Sequence, residues 1–175
     1  MSVPNIPKPV MLMLGLLYNE TLSFEEVTAP LIQKFGPISG YVEPFEFHFT
    51  QYYKKEMGEK LMRSYLTFLR LIEPDTLSKI KLLTNQLEEK FLQNNNRLVN
   101  YDPGLLTDHN LILASCKDFS HRIYLTDGIF AEVTMVFHKG KYTFSPWTYP
   151  DYQSEKALDF FYEQRLRYIE LRKIL

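Results

Sequence analysis

The chain has 175 residues, of which 45% are hydrophobic and 23% charged, and its net charge is −1. This composition excludes a disordered polar chain and a broadly basic nucleic-acid-binding protein, and the length predicts one domain over residues 1–175. Cys116 is the only cysteine, so no disulfide forms within the chain and we expect the reducing cytoplasm.

The first predicted elements are a buried strand and a capped helix. Residues 10–18 are continuously apolar, which is typical of a strand covered on both faces, and the run is too short to cross a membrane. Gly15 within this strand predicts close packing. Ser23 and Glu26 have the spacing of a capping box, so a helix begins there and reaches Phe35, and Pro30 predicts a kink or a break inside it.

The next elements follow from alternation and helical spacing. Residues 45–49 alternate Phe with polar side chains and predict an edge strand, and residues 61–72 predict another strand. Residues 74–92 predict a helix, because apolar side chains recur at helical spacing. A short strand over residues 97–100 then leads into a predicted turn at "YDPG", residues 101–104.

Residues 111–116 predict a strand, and two hairpins follow it. A two-residue Asp127-Gly128 loop in the first hairpin would mix polar and apolar faces. A three-residue loop that starts at Thr126 pairs Arg122 with Glu132, and we choose it because burial of one face fixes the register. The apolar face predicted in this way contains Ile123, Leu125, Ile129, Ala131, Val133, Met135 and Phe137.

A capped helix ends the predicted order of elements. Ser154 is its N-cap, and its apolar stripe is Leu158, Phe161, Tyr162, Leu166 and Ile169. The whole order predicts an α+β fold: a ferredoxin-like (βαββαβ) core extended by an antiparallel β-meander and a C-terminal helix. We expect its helices on one face of the sheet.

Charged residues crowd around the first hairpin and form the candidate site. Arg122 and Glu132, predicted to lie opposite each other, would make either a plain salt bridge or a clamp for an anionic ligand. Lys117 and His121 would add positive charge from the preceding turn. Asp102 would approach if its strand is a neighbour. These five residues are the predicted ligand-binding set, and a histidine beside a turn is more typical of a solvated group than of a catalyst.

Two other interpretations stay open. Asp102, Asp108 and His109 are the only tight mixed cluster, which would suit a metal-dependent hydrolase, but loop aspartates usually serve turns, so we assign no metal and no cofactor. Aromatic side chains in residues 45–53 and 147–152 would instead form a protein-binding or homodimer surface.

Cys116 closes an apolar strand and is predicted to be a small core side chain.

Several stretches resemble one family along nearly the whole chain. These are "EPFEFHFTQYYKKEMG", "IKLLTNQLEEKF", "RLVNYDPGLL", "ASCKDFSHRIYLTDGIFAEVTM" and "PWTYPDY", and they resemble the small bacterial proteins of domain of unknown function 4416. Members are often labelled GTP-binding protein without a stated mechanism, so the resemblance leaves nucleotide binding open.

Hydrolysis of GTP on a phosphate loop is not expected. The chain has no G-x-x-x-x-G-K-[ST] loop, and its nearest guanine-reading motif, Asn85 to Glu88, lies in a predicted helix. The expected function is binding of a small anionic ligand, a nucleotide or a phosphorylated compound, without a P-loop.

Overall fold

A computed structural model describes residues 2–174 and shows an α+β protein with a nine-stranded antiparallel sheet and four α-helices. The helices are α1 (Phe24–Phe35), α2 (Lys54–Met57), α3 (Leu77–Glu88) and α4 (Glu155–Leu171). The strands are β1 (Val10–Asn19), β2 (Ile38–Tyr41), β3 (Phe45–Glu46), β4 (Leu61–Ile72), β5 (Leu92–Gln93), β6 (Asn96–Arg97), β7 (Val99–Leu106), β8 (Asn110–Ser115), β9 (Ile123–Thr126), β10 (Ile129–His138) and β11 (Lys141–Phe144).

Strand β1 lies in the interior of the large sheet. The strand order is β11-β10-β8-β7-β1-β4-β2, with β3 also paired to β4 and β9 also paired to β10, while β5 and β6 form a separate small sheet. The α+β class is therefore confirmed, whereas the strand order does not by itself make the predicted ferredoxin-like topology evident.

Helices cover both faces of the sheet, so the expectation of helices on one face is wrong. Leu12 and Leu14 of β1 belong to the core shared with α1 and α3. Met11 and Met13, which point the other way, belong to the core shared with α4. Because β1 is buried on both faces, its sequence is apolar without alternation.

The buried face of α4 differs from the predicted stripe. Tyr162 and Leu166 are 42% and 45% exposed, and the buried positions are Ala157, Phe160, Phe161, Gln164 and Tyr168. A polar residue on this face conceals the helical period, since the Thr67 hydroxyl donates to Gln164 Oε1 over 2.8 Å inside the core.

The first hairpin differs from the prediction at its turn. Asp127 and Gly128 both have positive φ, 53° and 75°, and the loop contains these two residues alone. A register shift follows and restores the predicted pairing of Ile123 with Ala131.

The single apolar face predicted for β10 is broken by a second register shift, after Val133. A bulge there turns the later side chains to the other side of the sheet. Strand β9 is exposed along its length.

The predicted "YDPG" turn is also wrong, since these residues lie inside β7, where Tyr101 pairs with Leu16 of β1. The Tyr101 N–H and C=O bond to side chains of α3, so they point away from β1. Backbone direction alternates along a strand, so the Pro103 nitrogen also points away from β1. Strand β8 pairs with β7 only from Gly104 onward, and Pro103 therefore costs no ladder bond.

The remaining elements lie close to their predicted positions. Helix α1 begins with the complete capping box at Ser23 and runs unbroken through Pro30. Strand β4 covers the predicted residues, and α3 has a turn of 3₁₀ helix at each end. The predicted strand over residues 45–49 is shorter, because only the two residues of β3 pair with β4.

Candidate functional site

A rift opens where β7 and β8 stop pairing. The two strands are paired from Leu106 opposite Leu111 back to Gly104 opposite Leu113, and beyond Gly104 and Leu113 they are not paired with each other. A cavity of about 740 Å³ lies there on the α4 side of the sheet. We call it the aromatic lobe, and its aromatic walls are Phe47, Phe49, Tyr52, Tyr53, Phe119, Tyr149 and Tyr152.

The rift extends to the α3 side of the sheet as a second cavity of about 350 Å³. We call it the polar lobe, and the residues that it does not share with the first cavity are Lys81, Asn85, Glu88, Arg97, Asn100 and Cys116. Asp102, Ser115 and Lys117 line both lobes. The lobes are therefore adjoining parts of one rift.

Side chains of α3 replace the missing strand partner of β7. The Tyr101 N–H donates to Glu88 Oε1 over 2.7 Å, and its C=O accepts from Lys81 Nζ over 2.8 Å. These bonds satisfy backbone groups that burial would otherwise leave unpaired. Burial raises the pKa of the Glu88 carboxyl, and nearby Lys81 opposes that shift. The edge of β7 is thus stable without β8.

Arg122 and Glu132 form a buried ion pair on the wall of the aromatic lobe. Arg122 Nε donates to Glu132 Oε2 over 2.7 Å, and the side chains are 4% and 2% exposed. Other guanidinium N–H groups donate to Ser115 Oγ, the Lys117 carbonyl and the Tyr149 hydroxyl. Burial lowers the pKa of Arg122, but the bond and charge of Glu132 outweigh it and the net shift is upward. Arg122 therefore ties the turn before β9 to β8 and β10.

His121 contacts the Glu132 carboxylate of this ion pair from outside the two lobes. Its Nε2 lies 3.1 Å from Glu132 Oε2, and its ring stacks on Trp147 with centroids 4.8 Å apart. The side chain is 18% exposed and is not among the residues that line either lobe. Its geometry is that of a group that positions Glu132.

Lys117 stands at the mouth of the rift. Its side chain is exposed, and its Nζ lies 3.1 Å from the Tyr52 hydroxyl and 4.7 Å from the centre of that ring. Since one of the three ammonium protons is used, Lys117 keeps donors for a ligand.

A second buried ion pair forms the floor of the aromatic lobe. Arg63 Nη2 lies 2.8 Å from Asp151 Oδ2, and Arg63 Nη1 lies 3.7 Å from Asp102 Oδ2. The Tyr65 hydroxyl also donates to Asp151. Burial lowers the pKa of Arg63, but Asp151 and other nearby groups raise it by more, so the net shift is upward. Asp102 is held less tightly than Asp151, and its side chain is 29% exposed in the rift.

The family model described as Domain of unknown function (DUF4416) matches residues 8–168. The chain belongs to this family. No curated protein and no solved structure matches the chain. All residues that line the two lobes lie within the DUF4416 domain.

The structure brings the five predicted site residues of the DUF4416 domain together. Asp102, Lys117, Arg122 and Glu132 line the aromatic lobe, and His121 contacts Glu132. Their role in ligand binding stays a prediction.

Sequence reasoning missed Arg63 and Asp151 on the floor, and Lys81 in the polar lobe. The signal for Arg63 was present, because it is a charged residue inside the otherwise apolar β4. Cys116 was placed wrongly, since its side chain is exposed at the polar lobe.

The metal interpretation has no geometric basis in the described residues. Asp102 lies in β7, four residues or roughly 13 Å before its end at Leu106, and Asp108 lies beyond that end in the turn to β8. Asp108 forms an ion pair with Arg172 of α4's C-terminal turn. Within residues 2–174, no group of three or more His, Cys, Asp or Glu is arranged to hold a metal ion.

The helices in residues 2–174 are all too short or too polar to cross a membrane.

Proposed function

We propose that the protein binds a small anionic ligand, a nucleotide or another phosphorylated compound, in the rift between β7 and β8. The observation that carries this proposal is the aromatic lobe, a cavity of about 740 Å³ with charged groups at defined positions on its walls. Sites for small molecules commonly have volumes of about 300–1,000 Å³ and combine apolar walls with a few polar groups.

The aromatic walls favour a ligand with a flat body. Tyr52, Phe119 and Tyr149 line this cavity and are 65%, 54% and 44% exposed to solvent, so they are not fully covered by the protein. Stacking on aromatic side chains accepts any nucleobase, because every base has a π-face. A nucleobase is therefore the body that these walls suit best.

The charged groups favour a ligand that carries both an anion and hydrogen-bond donors. Lys117 at the mouth supplies a mobile positive charge, and Arg122 supplies a fixed one that Glu132 orients. Asp102 supplies an accepting carboxylate that is partly exposed in the rift. A nucleotide offers a partner to each of these groups.

A thermal-shift screen of nucleotides, inorganic phosphate and divalent metals tests the proposal. A ligand at 100 times its Kd adds roughly 2.7 kcal/mol to the free energy of unfolding, which raises Tm by several degrees. Lys117→Met should reduce the shift given by a nucleotide, whereas Lys141→Met, at an exposed lysine of β11, should not. A Tm unchanged by every nucleotide, or a shift reduced equally by both substitutions, would overturn the proposal.

A second candidate function is self-association through β9. Ile123, Tyr124 and Leu125 are 70%, 59% and 40% exposed on a strand that pairs only with β10 in the described part of the chain. A free strand edge with apolar side chains is a template for pairing with a second copy. Light scattering after size exclusion should then show a dimer that Tyr124→Lys converts to a monomer, and a monomer at all concentrations would rule this out.

For the fold, we propose that β1, α1, β2, β4, α3 and β7 form a ferredoxin-like core. Two strand-helix-strand units, β1-α1-β2 and β4-α3-β7, support this. In the sheet, β4 lies between β1 and β2, and β1 lies between β4 and β7, so the two units interleave. Helices α1 and α3 also share one face of the sheet.

A further inference from the structure

We infer that the polar lobe is the subsite for the ligand's anionic group, with Asn100 and Lys81 as its principal donors. This inference rests on the proposed function, because it assigns the two ends of the proposed ligand to the two lobes. It moves the anion away from Arg122, where the sequence alone had suggested it.

Asn100 lines the polar lobe and carries a buried donor without a partner in the described residues. Its side chain is 6% exposed, and its Oδ1 accepts from Arg97 Nη1 over 2.9 Å. This bond fixes which end of the amide is the oxygen, since a guanidinium can only donate. The buried Nδ2 has no partner within residues 2–174. A buried donor without a partner is rare in proteins, and an oxygen atom of a bound ligand would complete it.

Lys81 supplies buried positive charge beside Asn100. Its side chain is 6% exposed, and its Nζ donates to the Tyr101 carbonyl. An ammonium has three protons, so two are left for a ligand. Lys117 adds a third cationic donor where the lobes meet.

Of the two carboxylates in the polar lobe, Glu88 already accepts hydrogen bonds from the protein and Asp102 lies at the edge of the lobe. Glu88 accepts from the Tyr101 N–H and from Arg97 Nη1, and Arg97 also pairs with Glu56 outside the lobe. Asp102 lies at the junction with the aromatic lobe, near Arg63. The lining therefore presents three cationic groups, Lys81, Arg97 and Lys117, against the two carboxylates Glu88 and Asp102.

Arg122 is less suited to hold the anion. Its guanidinium already makes four hydrogen bonds to the protein, and Glu132 neutralises its charge at 2.7 Å. A guanidinium has five N–H donors, so one is left. A single ligand can still contact both regions, because Asp102, Ser115 and Lys117 line both lobes. The ligand class that fits is a nucleoside monophosphate, with the base in the aromatic lobe and the phosphate in the polar lobe.

The test compares phosphorylated and unphosphorylated forms of the same ligand. Calorimetric titrations of the full chain would use AMP, GMP and UMP beside adenosine, guanosine and uridine. We expect the wild type to bind at least one monophosphate at least tenfold more tightly than its nucleoside. Asn100→Asp places a negative charge where the phosphate would bind, and it should abolish this preference while leaving nucleoside affinity within about twofold.

Two further variants make the result specific. Asn110→Asp adds the same charge on β8, at the far end of its pairing with β7, and should leave the preference unchanged. Lys81→Gln keeps a donor near the Tyr101 carbonyl but removes the charge, so it should lower the preference even if Asn100→Asp does not fold. A preference unchanged by both polar-lobe substitutions would overturn the subsite and leave the proposed function standing. No binding of any of the six compounds by the wild type would overturn the assignment of a nucleoside monophosphate to the two lobes.

Discussion

At the scale of single residues, Gly15 sets how closely the floor of the aromatic lobe packs on β1. A Cβ at this position would lie 2.6 Å from the Tyr152 hydroxyl oxygen and 3.0 Å from Arg63 Nη2. Both groups are buried, and Arg63 is fixed by Asp151. Close packing at this glycine was expected from the sequence. Its physical reason is that the buried Arg63 and Tyr152 side chains occupy the space that a Cβ would need.

Gly15→Ala should lower the free energy of unfolding by roughly 1–3 kcal/mol, the usual effect of overpacking a core. Urea denaturation measures this change. The Tyr152 hydroxyl has no partner within residues 2–174. Tyr152→Phe alone should therefore cost little, and Gly15→Ala combined with Tyr152→Phe should recover much of the loss. A double variant no more stable than Gly15→Ala would contradict this account of the glycine.

The ion pair between Arg122 and Glu132 gives a second residue-level prediction. Arg122→Met should destabilise the protein by roughly 3–5 kcal/mol, because it leaves a buried carboxylate with only His121 beside it. Arg122→Met combined with Glu132→Leu should be more stable than the single variant. Chemical denaturation of both variants measures the difference, and equal stabilities would show that the buried charge is not the cause.

This pair also shows what a sequence can predict at the residue scale. Burial of Ile129 and Ala131 on one side of β10 placed Glu132 on the other, and the paired register at Ile123 put Arg122 within reach. The prediction succeeded although the turn was wrong, because a register shift compensated for the shorter loop. Lys81 gave no such signal, since a lysine on a predicted helix is normally solvated.

At the scale of elements, an ion pair joins α4's C-terminal turn to the turn between β7 and β8. Arg172 Nη1 donates to Asp108 Oδ2. Burial raises the pKa of the Asp108 carboxyl, but the hydrogen bond and charge of Arg172 outweigh it and hold the pKa below its ordinary 3.8. A carboxyl whose pKa is lower in the folded than in the unfolded chain stabilises the fold above its unfolded pKa. That contribution is lost as the pH falls through the folded-state pKa.

Asp108→Asn should therefore cost stability near pH 7, by roughly 1 kcal/mol at most for a partly exposed pair. As the pH falls below the ordinary 3.8 and through the lower pKa of the folded state, the cost should shrink towards zero, because the wild-type carboxyl then becomes protonated. Urea denaturation at several pH values measures the difference. Asp118→Asn, at an exposed aspartate before β9, is the control and should show no such trend. A cost for Asp108→Asn that is the same at both pH values would contradict the ion-pair explanation.

The elements missed from the sequence share a physical cause. Pro103 and Gly104 have strong turn propensity, yet they lie in β7 because β1 pairs along the whole strand. Sheet pairing therefore overrides the local preference. Helix α4 was found from its cap and length, but its buried face was not, since Gln164 bonds to Thr67 inside the core.

At the scale of the whole molecule, β1 should be the most protected part of the chain. Its first nine residues are all buried, and it pairs with β4 and β7. Strand β9 is exposed, and in the described residues it pairs only with three residues of β10. Amides in such regions open with little free energy. Hydrogen–deuterium exchange should show β1 exchanging slowest and β9 among the fastest, and similar rates in the two strands would contradict this arrangement of the sheet.

The rift itself could not have been predicted from the sequence. It depends on the residue at which β8 stops pairing with β7, and on the approach of the segments that carry Tyr52, Lys117 and Tyr149. These segments are distant in sequence, so no local pattern records their contact. Patterns of burial predicted the α+β class and five neighbouring residues, whereas the cavity arises from long-range pairing.

Chemical-shift mapping by NMR on the ¹⁵N-labelled protein tests the central claim, that the rift is the ligand site, most directly. On titration with AMP, we predict the largest amide shifts at Asn100 of the polar lobe and at Asp102, Ser115 and Lys117, which line both lobes. Shifts clustered on β9, or the absence of any saturable shift with AMP, GMP and UMP, would contradict it.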